Sequence, residues 1–191
     1  MKKLIAMILV AALVLFGASY CLSSIAAANA QAEHLQIMQT ILPGSTEFVL
    51  EPYAGEDANI RSVHKADNGF VIETVTYGYA SEITMLIGVN NDGYVTGLVV
   101  RDMAETFGLG ANALTDHVFL AQFLNGTGSF AVGTVDAFSG ATGEETSETD
   151  VTVDAIAGAT VTSKAVIRCV YSAVAYVTGA DATSEATSWG G

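Results

Sequence analysis

The stretch from Ile60 to Met103, IRSVHKADNGFVIETVTYGYASEITMLIGVNNDGYVTGLVVRDM, decides the fold class. It divides into four runs rich in valine, isoleucine and threonine, residue types that fit a pleated, half-buried surface. Ile60 to Ala66 and Phe70 to Tyr77 are joined through Asn68 and Gly69; Glu82 to Val89 and Tyr94 to Met103 are joined through Asp92 and Gly93. Asn-Gly and Asp-Gly between such runs are hairpin signals, because both residue pairs tolerate the positive φ of tight turns. Two successive hairpins predict an antiparallel sheet.

Helical spacing takes over downstream. Ala113, Leu114, His117, Val118, Leu120, Ala121 and Leu124 predict a helix over about residues 111–124, closed by Gly126 and Gly128. A strand is expected from Ser129 to Val135. Val166, Cys169, Val170, Ala173, Val174 and Val177 line one face of a helix expected from Thr162 to Val177, which Gly179 stops. The fold class is therefore α+β, with antiparallel hairpins and packed helices over residues 60–180. The Ser/Thr-rich residues 181–191 are expected to be a disordered tail.

Upstream, no charge occurs between Lys3 and Glu33, and residues 4–28 would span ~37 Å as a helix, enough for a ~30 Å hydrocarbon core. Residues 1–30 are accordingly expected to form an N-terminal transmembrane anchor. A cleaved signal peptide is the competing reading, since Ala28, Asn29 and Ala30 form a small-residue site. The apolar run exceeds the usual h-region of roughly 7–15 residues, which favours the anchor. Lys2 and Lys3 place the N-terminus in the cytoplasm and the rest of the chain outside it. Residues 31–59 are expected to supply a connecting helix, ended by Pro43 and Gly44, and a linker.

Seven basic residues stand against twenty acidic ones, a net charge of −13. Such a surface repels phosphate backbones and argues against nucleic-acid partners. Cys21 and Cys169 lie in segments too different in character to pair readily, and His34, His64 and His117 have no metal-ligand spacing. No catalytic triad or acid–base dyad stands out. GLGANA, residues 108–113, satisfies a dinucleotide-binding pattern. It lacks the downstream acidic residue and the parallel-strand context that such a site requires.

Two near copies of one octapeptide remain: VDAFSGAT at Val135 to Thr142 and VDAIAGAT at Val153 to Thr160, identical at six of eight positions. Between them runs GEETSETD, read as a solvated loop. In the second copy, small residues leave the backbone uncovered just before a helix with Thr162 and Ser163 in its first turn. Backbone N–H groups and the positive helix end favour a phosphate there. An ordinary capped helix after a tight turn would look the same from these residues alone.

VDAIAGATVTSKAV resembles the flavinylation motif of the FMN-binding domain family, which includes the G-type subunit of the Rnf complex and the C-type subunit of the sodium-pumping Nqr complex. The segment from Gly78 to Ala113 is similar to that family's two-hairpin region, which ends in a Glu-Thr-Pro-Gly-Leu-Gly loop. Here the loop is Glu105, Thr106, Phe107, Gly108, Leu109 and Gly110, with Phe107 in place of proline. The likeness covers about residues 60–180.

The resemblance implies FMN held covalently, as a phosphoester, on Thr160, moved there from FAD by a flavin transferase. Asp154 would lead the motif, with Gly158 and Ala159 beside the acceptor and Thr162, Ser163, Glu105, Thr106, Gly108, Leu109 and Gly110 near the cofactor. Ala157 stands where the family usually has serine or threonine; the first copy has Ser139 there, so Thr142 is an alternative acceptor. Covalent attachment suits an extracytoplasmic domain, where free FMN would need binding near about −12 kcal/mol to be retained. The implied role is an electron-transfer subunit of a membrane-bound, ion-translocating ferredoxin/NAD oxidoreductase complex, not catalytic alone and partnered by the other membrane subunits. The alternative is a free-standing, membrane-anchored surface flavoprotein serving extracellular acceptors.

Overall fold

The computed structural model describes residues 2–106, 110–126, 130–133 and 151–180; the side chains of 2–12, 14, 16–18, 21, 113, 130–133 and 151–152 are outside that description. The chain divides into two compact units, Met1–Ile37 and Met38–Gly191. Helix α1, Lys2–Ile41, makes up the first and ends in the second. Among the described residues no helix is long and apolar enough to cross a membrane, and most of the apolar side chains of residues 4–21 fall outside them.

The second unit is built on five antiparallel strands in sequence order: β1 Val49–Glu51, β2 Ile60–Ala66, β3 Gly69–Tyr77, β4 Glu82–Asn90 and β5 Val95–Asp102. The four runs of the opening stretch are β2 to β5. The short edge strand β1, only three residues, carries too little pattern to be read from sequence.

The two hairpins use their glycines differently. Gly93 has φ +86 and is the left-handed residue of the β4–β5 turn, where the Asn90 side chain accepts the Asp92 and Tyr94 N–H groups. Gly69 has no positive φ; it pairs with Ala66 at the start of β3, and a Cβ there would strike the Val89 carbonyl. Space, not turn geometry, explains that glycine.

Ile72, Ile83, Met85, Ile87 and Val89 share one face of the sheet and are buried beneath the helix α4, Thr160–Thr178. Val166, Cys169, Val170, Ala173 and Val174 are the helix side of this core, as their 3.6-residue spacing requires. Gly179, at φ +73, closes α4 with its N–H on the Ala175 carbonyl. On the opposite face, Gly88 and Gly97 pair across β4 and β5, and the Thr96 hydroxyl donates to the Ile41 carbonyl at 2.6 Å. The glycines leave room for that last turn of α1, where Met38 and Ile41 are buried, with Leu42 buried just beyond it.

Two features depart from the sequence reading. The single helix expected over 111–124 is two: α2 Gly110–Thr115 and α3 His117–Ala121. Asp116 causes the break, because its carboxylate accepts the Val118 and Phe119 N–H groups as an N-cap. The second lies outside the sheet: β6 Phe130–Gly133 falls within the strand expected from Ser129 to Val135, but it pairs in parallel with an unexpected strand, β7 Val151–Asp154, as a separate ribbon. Residues 134–150, including GEETSETD and the first octapeptide copy from Val135 to Thr142, lie outside the described residues, as do 181–191.

Candidate functional site

The second octapeptide copy runs from β7 into the start of α4. Gly158 takes φ +78, a conformation that an L side chain would strain, and the turn closes with the Ala159 N–H on the Ile156 carbonyl at 2.9 Å. Ser163 then knots this turn from below. Its hydroxyl donates to the Ala159 carbonyl at 2.9 Å and accepts the Ile156 N–H at 3.4 Å, and its side chain is fully buried. Ala159 is the N-cap, and no side chain caps the helix there. Ser, Thr, Asp and Asn are strongly preferred at that position, at a gain of about 1 kcal/mol. The first-turn N–H groups are thus left without a side-chain acceptor, which is the condition for receiving an external anion.

Three hydroxyls stand on this turn. Thr162 and Ser163 point inward; Thr160 is half-buried, and among the described residues nothing takes a hydrogen bond from it.

The Thr162 hydroxyl donates to Glu105 Oε2 at 2.9 Å. Glu105 Oε1 accepts the Ala80 and Ser81 N–H groups at 3.0 and 3.1 Å, at the tip of the β3–β4 hairpin. The Ser81 hydroxyl in turn accepts the Ala104 N–H at 2.9 Å. Partial burial pushes the Glu105 carboxyl upward, but the Ala80 N–H, the Thr162 hydroxyl and the Ser81 and Tyr79 N–H groups outweigh it and hold the group below its ordinary value. A Cβ at Gly78 or Gly110 would collide with this carboxylate, so both glycines are needed for its seat. The start of the loop Glu105–Gly110 and the start of α4 are therefore joined directly, although 57 residues separate Glu105 from Thr162.

Asp154 presents an exposed side chain, while its backbone is held by Gln122, whose amide accepts the Asp154 N–H at 2.8 Å and donates to its carbonyl at 3.3 Å. Sequence reasoning passed over Gln122, Ser81 and Gly78. Gln122 is one polar residue at a helix end with no motif around it, and nothing local marks its partner. Thr106 is exposed and Gly110 opens α2. Phe107, Gly108 and Leu109 lie outside the described residues, as does Thr142. Among the described residues no cluster of His, Cys, Asp and Glu is arranged for a metal. Cys169, buried at 0% exposure in the α4 core, has its thiol pushed by burial to about 12, so it is a packing residue rather than a nucleophile.

The sequence pattern of the FMN-binding domain matches residues 78–175. The G subunit of the Na(+)-translocating ferredoxin:NAD(+) oxidoreductase complex of Acetobacterium woodii is 39% identical over 121 residues, 63% of this chain and 51% of that protein. The chain thus spans about half the length of that relative. The G subunit of the ion-translocating oxidoreductase complex of Methanosarcina acetivorans is 32% identical over 154 residues, covering 74% of this chain and 73% of its own length. Among solved structures, the C subunit of the Na(+)-translocating NADH-quinone reductase of Parabacteroides distasonis superposes with a TM-score of 0.45 and 22% identity, over 64% of this chain and 61% of its own. Shewanella oneidensis NqrC gives 0.46 and 21%, over 70% and 65%.

Proposed function

The chain belongs to the FMN-binding domain family, and from that premise we propose that it carries FMN covalently on Thr160, outside the cytoplasm, as the electron-transfer subunit of an Rnf-type ion-translocating complex. One observation carries the attachment site: Thr160 opens α4 on an N-terminal turn without a side-chain cap, half-exposed, while its two neighbouring hydroxyls are committed inward.

The residues present fit the group. A phosphate ester at Thr160 lies at the positive end of a helix of 19 residues, where N–H donors are available. Gly158 and Ala157 are exposed, so little side chain stands between solvent and the acceptor. Gly158 sets the turn, Ser163 holds it from beneath, and Gln122 fixes the backbone of Asp154, leaving its carboxylate free to be read by a flavin transferase. Gly110 keeps the end of the loop close to Thr162, and the family resemblance assigns Thr106, Gly108 and Leu109 to the cofactor as well. The isoalloxazine supplies the redox chemistry when bound; the protein supplies position and electrostatics. The names of the relatives support membership of a membrane complex with other subunits as partners. N-terminal anchoring by residues 1–30 follows from the uncharged run and the two lysines before it.

The test is co-expression with a flavin transferase followed by denaturing electrophoresis. Wild type and Thr142→Ala should show in-gel flavin fluorescence, and Thr160→Ala should show none. Fluorescence that survives Thr160→Ala and vanishes in Thr142→Ala would overturn the assignment.

A further inference from the structure

Glu105 falls within the loop expected beside the cofactor, yet both of its oxygens are engaged by the chain itself. Oε1 holds the Ala80 and Ser81 N–H groups, and Oε2 holds the Thr162 hydroxyl. The carboxylate is thus a bridge between the tip of the β3–β4 hairpin and the first turn of α4, two residues from Thr160. Its seat is shaped for it: a Cβ on Gly78 would strike Oε1, and a Cβ on Gly110 would strike Oε2 and the Thr162 hydroxyl. Ser81 adds a second brace by accepting the Ala104 N–H next to Glu105 in the chain. Two segments far apart in sequence converge on one side chain.

We infer that Glu105 is a positioning residue for flavin attachment: it locks the acceptor turn of α4 to the β3–β4 hairpin and so presents Thr160 in one fixed orientation. The inference rests on Thr160 as acceptor. In the attachment step the Thr160 Oγ forms a bond to the FMN-side phosphorus of FAD. The pyrophosphate P–O bond breaks, AMP leaves with that electron pair, and the hydroxyl proton passes to water. The step has no net redox change, and its rate depends on how well the hydroxyl is aimed at the phosphorus. Without the bridge, the side-chain tie from this turn to the hairpin tip is gone, while the α4 core, centred on Val166, Cys169, Val170 and Val174, stays intact.

The experiment follows the rate at which full-length chain gains the mass of FMN from FAD in the presence of a flavin transferase, with hydrogen exchange at the Ala80 and Ser81 amides measured alongside. Glu105→Ala should speed exchange at both amides and slow attachment on the order of tenfold to a hundredfold, the range expected when a reacting group is misplaced. Glu105→Gln should restore most of the rate. Its amide oxygen can accept both N–H groups and its NH2 can donate to the Thr162 hydroxyl. Thr162→Val removes only the α4 arm and should also slow attachment; it decides the matter should Glu105→Ala fail to fold. Attachment at the wild-type rate in Thr162→Val, or in a folded Glu105→Ala with both amides exchanging fast, would overturn the inference. So would Glu105→Gln as slow as Glu105→Ala, because charge and not geometry would then be acting. Wild-type chain that gains no flavin on Thr160 would instead overturn the acceptor assignment, and this inference with it.

Discussion

Thr160, Thr162 and Ser163 lie within four residues of one another and look interchangeable in the sequence, yet their surroundings give them three different tasks. Ser163 spends its hydroxyl on the Ala159 carbonyl and the Ile156 N–H, and Thr162 spends its own on Glu105. Thr160 alone is left for the proposed attachment. Their presence in the motif was legible; their division of labour was not, because it depends on a carboxylate 57 residues away from Thr162. That carboxylate also sets a pH dependence. Its folded-state value lies below the ordinary 4.5, so its stabilising contribution is complete above about 4.5 and is lost as pH falls through the lower folded value. Urea midpoints should therefore drop more steeply for wild type than for Glu105→Gln as pH is lowered through that window. Parallel curves would mean that the carboxylate is not stabilised by its partners.

At the level of elements, β2 to β5 were readable because their hydrophobic runs are long and their turns carry Asn-Gly and Asp-Gly. α4 was readable because six apolar residues recur at helical spacing. β6 was readable as a strand, but its parallel pairing with β7 was not, since parallel partners distant in sequence leave no local signature, and the break at Asp116 was hidden inside an unbroken apolar stripe. The seat for the end of α1 was hidden as well. A glycine inside a strand weakens it in general, and the purpose of Gly88 and Gly97 lies in the Ile41 backbone beside them. A Cβ at Gly97 would come within 2.6 Å of Ile41 Cα, and neither backbone can yield cheaply. Gly97→Val should lower stability by about 1–3 kcal/mol, the usual cost of overpacking. A denaturation midpoint equal to that of wild type would show that the last turn of α1 does not sit on this pair.

For the molecule as a whole, a net charge of −13 argues against a nucleic-acid binder, and the uncharged run after Lys3 is the ground for the proposed membrane tether. Carbonate-washed membranes should retain the full-length chain. A soluble form beginning near Gln31 would identify the apolar segment as a cleaved signal. Flavin attachment at Thr160 can be tested on its own. Intact-mass analysis of the chain produced with a flavin transferase, followed by peptide mapping, should find the mass of one added FMN, confined to the peptide that contains Thr160. One FMN on the peptide containing Thr142, two per chain, or none at all would contradict the account.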